Sequence, residues 1–118
     1  MGDVQHEDTY KIKSDAGLVG VKVRVFGGHA GAWVVMLDGM PVPPQPDGFV
    51  VLGEGRDVRG RDVLVTTTLD KISPNPSFTV EHDVREIGPT GGSTMPFIVT
   101  GKFDAVSTAD VEETIVFE

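Results

Sequence analysis

Apolar and polar residues alternate with a period of two along most of this chain. Between Leu18 and Phe26, Val19, Val21, Val23 and Val25 share one side, while Lys22 and Arg24 take the other. Val63, Val65, Thr67 and Leu69 repeat the pattern against Asp62, Thr66, Thr68 and Asp70. Phe78, Val80, His82 and Val84 oppose Thr79, Glu81, Asp83 and Arg85. Phe97, Val99, Gly101 and Phe103 turn away from Thr100, Lys102 and Asp104, as Val111, Ile115 and Phe117 do from Glu112, Thr114 and Glu118. Successive side chains of a strand point to opposite faces, so this spacing predicts antiparallel strands with one buried and one wet face.

Two segments break the alternation. Ala32 to Leu37 and Phe49 to Leu52 are apolar on both faces. Such strands are covered twice, once by the core and once by another part of the chain or by a second subunit. The connections carry turn chemistry: Gly27-Gly28, Asp38-Gly39, Pro46-Asp47-Gly48 and Gly91-Gly92 suit tight turns. Pro41, Pro43, Pro44 and Pro46 predict an irregular or polyproline-like segment. Ser73-Pro74-Asn75-Pro76 is expected to turn a long hairpin, between a strand ending at Ile72 and one starting at Ser77. Ser107 and Asp110 are spaced like a capping box, but the apolar residues that follow lack the helical period, so a turn into the last strand is expected.

About seven or eight strands at short turn spacings predict an all-β, antiparallel two-sheet β-sandwich, with a jelly roll as the competing topology. The second half of the chain resembles the later strands of small immunoglobulin-like sandwich domains. The residues concerned are Gly53-Glu54-Gly55, the long strand to Ile72, the Pro-Asn turn, a paired strand and a closing strand at Thr114 to Phe117. This likeness implies a fold and no function.

Composition agrees with a β class. Val occurs 19 times and Thr 10 times, whereas Ala and Leu together occur 10 times. β-Branched residues suit a pleated sheet, and Ala and Leu lead the helix formers. With 118 residues, a single domain over 1–118 is expected, its polar residues 1–8 forming a mobile tail. A net charge of −8 argues for solubility and against phosphate backbones or anionic membranes, so nucleic acid is not expected, and apolar runs as short as Ala32 to Leu37 and Phe49 to Leu52 predict no membrane span. The absence of cysteine and of a cationic-then-apolar start favours a cytoplasmic chain.

Candidate chemistry is sparse. His6, His29 and His82 show no mutual spacing of a metal site, so no metal or cofactor is expected. His82 reads as a hydrogen-bonded core histidine, and His29, in a glycine-rich loop, as the one histidine placed for binding. Gly92-Ser93-Thr94 is no nucleophile elbow, and without a recognisable acid–base pair the chain is not expected to be an enzyme. Arg56, Arg59 and Arg61 read as a solvated, self-paired loop, or else as a docking loop for acidic groups. Asp38, Asp47, Asp104 and Asp110 are too scattered to support a calcium site.

Two functions follow from these features. The first is a protein-interaction or assembly module, self-associating through Trp33, Val35, Met36, Phe49 and Val51, since aromatics and Met anchor interfaces. The second is a ligand- or carbohydrate-binding sandwich that uses end loops bearing His29, Arg56, Arg59 and Arg61.

Overall fold

The alternating segments form the strands of a computed structural model that describes residues 3–88, 91–103 and 107–118. In chain order the elements are β1 (Val4–Tyr10), β2 (Leu18–Phe26), β3 (Ala30–Leu37), β4 (Met40–Val42), β5 (Phe49–Glu54), α1 (Gly55–Val58), β6 (Asp62–Asp70), β7 (Ser77–Gly88), β8 (Gly91–Lys102) and β9 (Thr108–Phe117). Two sheets pack face to face, with strand orders β1-β9-β6-β3-β4 and β5-β2-β7-β8. Nine strands among the described residues stand where seven or eight were expected.

The inward sides of these strands make one core. Val19, Val21, Val80 and Val84 from one sheet meet Val35, Val63, Val65, Val111, Ile115 and Phe117 from the other. All ten are at most 1% exposed, so the valine alternation marks the interior. On the outer side of β2, Gly20 lies beneath the ring of Phe49, and a Cβ there would also meet the Val50 carbonyl at 2.5 Å. Gly20→Ala is therefore expected to destabilise the fold by about 2–3 kcal/mol, read as a lower urea midpoint. A midpoint equal to wild type would mean that both the Phe49 ring and the β5 backbone can give way.

Four local expectations change. Residues 1–8 are not all tail: Val4–Tyr10 pair in parallel with Val111–Phe117. Their polar spacing hides the strand, because an edge beside β9 needs backbone partners more than apolar side chains. Ser73–Pro76 does not turn a hairpin, since β6 and β7 lie in different sheets and the segment is a crossover. Asn75 and Ser73 shape it, with Asn75 Oδ1 accepting from Ser77 N at 3.0 Å and Ser73 Oγ from Asn75 N at 3.2 Å. The long hairpin is β7–β8; Gly91 and Gly92 belong to β8, and residues 89–90 lie outside the described residues. Pro41 is inside β4, tolerated because β4 is an edge strand. Asp38 (φ 51°) and Gly39 (φ 77°) form the two-residue turn that folds β4 back on β3.

Candidate functional site

The residues expected at an interface separate. Val35 is 1% exposed and belongs to the core, whereas Phe49, 6% exposed, is covered on the outer side of β2, where its ring lies over Gly20. Trp33 is half-buried against the core, and Met36 and Val51 are half-buried as well. Double cover of the apolar segments is thus partial, and Val34 remains 49% exposed.

The expected loop residues do not converge. His29 is buried, stacked edge-on to Phe103 at 4.7 Å, and its Nε2–H donates to the Ser77 carbonyl at 3.0 Å. The arginines are each engaged by a carboxylate: Arg56 with Glu54 (3.0 Å), Arg59 with Asp15 (2.6 Å) and Arg61 with Asp38 (3.5 Å). Exposed pairs of this kind contribute little energy, but they leave no ready fork for a ligand carboxylate. Asp104 lies outside the described residues.

Polar side chains converge instead where β1 closes the open side of the sandwich. On β9 the inward series Val111, Ile115 and Phe117 is interrupted by Glu113, which is fully buried. The parallel register sets His6 directly opposite Glu113, and Asp8, two residues further along, shares the same face of β1. His6 Nδ1 lies 2.9 Å from Glu113 Oε2 and 3.0 Å from Asp8 Oδ2. The second Glu113 oxygen, Oε1, is buried without a hydrogen-bond partner. His82 contributes from β7: its Nδ1–H donates to the Phe97 carbonyl at 3.1 Å, leaving a buried Nε2 unpartnered.

The charges follow from this burial. Burial pushes the Glu113 carboxyl up to about 7; a hydrogen bond with Asp8 raises it further, and His6 pulls it down. For His6, burial works against the charged ring, but Glu113 and Asp8 together hold its pKa above the ordinary value. Burial lowers the pKa of His82. Its ring is therefore neutral near pH 7, with an acceptor lone pair on Nε2. Such a group of one imidazole and two carboxylates can hold a proton or a cation.

Compared with protein-family models, curated proteins and solved structures, the chain has no match.

A second buried carboxyl organises the neighbouring end of the same seam. Glu86 Oε2 accepts from the Tyr10 hydroxyl at 2.7 Å, and Oε1 accepts from the backbone N–H of Lys13 (2.9 Å) and Ser14 (2.6 Å). Ser93 sits on β8 with its Oγ 3.2 Å from the Tyr10 hydroxyl. Burial raises the pKa of Tyr10, the Ser93 bond lowers it and Glu86 raises it again. Beside this knot Tyr10, Lys11, Lys13, Ser93, Met95 and Phe97 line a cleft of about 360 Å³. Glu86 and Glu113 share one legible signal: each is an acid at an inward position of an alternating strand.

Proposed function

We propose that this domain is a non-enzymatic interaction module that self-associates by joining the open edge of β3 to the same edge of a second copy. The observation that supports it is a mismatch in strand length. β3 pairs with β6 from Ala30 to Leu37, but with β4 only from Val35 to Leu37. Residues Gly31 to Val34 thus carry, on one side, backbone groups with no strand partner among the described residues. An edge of this kind is a template for strand addition. The side chains around it are apolar: Val34 is 49% and Met40 69% exposed. Trp33, Pro41, Pro43 and Pro44 border a cleft of about 290 Å³ next to them. An edge that meets its own copy gives a closed two-fold dimer, whose partner is a second copy of this chain.

We also read the sandwich as immunoglobulin-like. The support is its connectivity: the chain changes sheet between β1 and β2, β2 and β3, β4 and β5, β5 and β6, β6 and β7, and β8 and β9.

Size-exclusion chromatography with light scattering, checked by native mass spectrometry, is expected to find a dimer. Val34→Lys should convert it to monomer with an unchanged melting temperature, because a lysine blunts an edge without entering the core. A wild-type monomer at high concentration, or a dimer indifferent to Val34→Lys, would overturn the assignment.

A further inference from the structure

We propose that His6, Asp8 and Glu113 form a binding site for one first-row divalent cation of the zinc(II) type, built across the β1–β9 pairing.

The geometry comes first. His6 Nδ1 and one oxygen each of Asp8 and Glu113 lie within 4.8 Å of one another. Two of the separations are 2.9 and 3.0 Å. Ligand atoms about 2.1 Å from a tetrahedral zinc lie roughly 3.4 Å apart, so each carboxylate need open from His6 by only a few tenths of an ångström, and the two carboxylates stand within 4.8 Å of each other. The site rests on backbone that is already paired, with His6 and Glu113 in direct register. A ligand set held on strands is placed more tightly than one carried by loops.

A second observation points to a ligand. The Glu113 side chain is fully buried, yet its Oε1 has no partner. A buried carboxylate oxygen left unpaired is costly, and a dication facing two carboxylates removes that cost. The orphaned Nε2 of His82 is buried as well, and among charged groups Asp8 and His6 bear on it most. The cluster is reachable from outside: the His6 side chain is 44% exposed and that of Asp8 27%.

The donor set selects the class of ion. One imidazole with two carboxylates suits zinc or manganese, whereas calcium takes six to eight oxygens and no nitrogen. Three protein ligands leave coordination positions for water.

The test is calorimetric titration of the tag-free chain, freed of cations by chelator, with zinc(II) and separately with calcium(II). Zinc is expected to bind at one ion per chain, to raise the melting temperature and to bind at least about tenfold tighter than calcium. Glu113→Gln keeps the shape of the side chain and removes one anionic oxygen; it should weaken zinc at least about tenfold. His6→Gln tests the same site from the more exposed strand, and should also abolish the visible absorption of bound cobalt(II). No binding by wild type, affinity unchanged in both variants, calcium as tight as zinc, or half an ion per chain would each overturn the proposal. None of these outcomes bears on dimerisation through β3, which is read by mass.

Discussion

Glu86→Ala is expected to destabilise the domain by about 3–5 kcal/mol, the largest effect of any single substitution outside the hydrophobic core. Glu86 is 4% exposed, and its two oxygens serve three donors: the Tyr10 hydroxyl and the backbone N–H groups of Lys13 and Ser14. Removing the carboxyl leaves all three without that partner in a region shielded from water, and each orphan costs about 1–3 kcal/mol, less whatever relaxation recovers. The effect spreads, because these donors sit at the end of β1 and in the connection to β2. Glu86 thus ties that connection to β7. Two controls grade the loss. Glu86→Gln keeps one acceptor oxygen and should lose less than half as much. Tyr10→Phe removes one bond, worth about 1 kcal/mol. Urea unfolding monitored by Trp33 fluorescence measures all three. A Glu86→Ala midpoint close to wild type would show that water replaces the carboxyl.

The cation-free domain is expected to lose stability as pH rises from about 4.5 to about 7. The Glu113 carboxyl titrates near 4.5 in the unfolded chain and is pushed up to about 7 in the folded one. Between those values the folded state holds more protons than the unfolded state, so stability falls with rising pH. Above the folded value both states are ionised and the dependence flattens. His6 acts in the same direction: its folded pKa lies above 6.5, so its contribution is complete below that and is lost as pH climbs through the folded value. Asp8 faces the pair from β1 and His82 faces the interior from β7, while Val65, the β6 partner of Glu113, is apolar. At about 1.4 kcal/mol per pKa unit the Glu113 shift corresponds to roughly 3 kcal/mol, and the exposed His6 adds little. Thermal melts at a series of pH values with chelator present measure the slope, and Glu113→Gln should remove most of it. A slope unchanged in that variant would place the titration elsewhere.

The strands were legible because their information is local. Val19, Val21 and Val23 lie on one face of β2 whatever the rest of the chain does, since the backbone alternates side chains by geometry. Asp38-Gly39 turns the chain back for the same reason: its positive φ values are a property of two residues. Where one partner in a contact is unknown, this logic stops. Ser73–Pro76 looks the same whether it turns a hairpin or crosses between sheets, because the sheet that β7 joins depends on β2 and β8. The interface residues divide likewise: Val35 and Phe49 are buried by neighbours from distant strands, which residue type alone cannot foretell.

The candidate site marks the same boundary. Glu86 and Glu113 each interrupt an apolar face, but only the tertiary structure shows both to be buried acids with partners. It does not say which partners, because His6 stands 107 residues from Glu113 and meets it only through the parallel pairing of β1 with β9. Spacing rules for histidines and acids describe ligands on one element, whereas these come from the two ends of the chain. Alternation and turn chemistry are written within a few residues. Strand order, and with it the meeting of His6, Asp8 and Glu113, is set by the burial of the whole core at once.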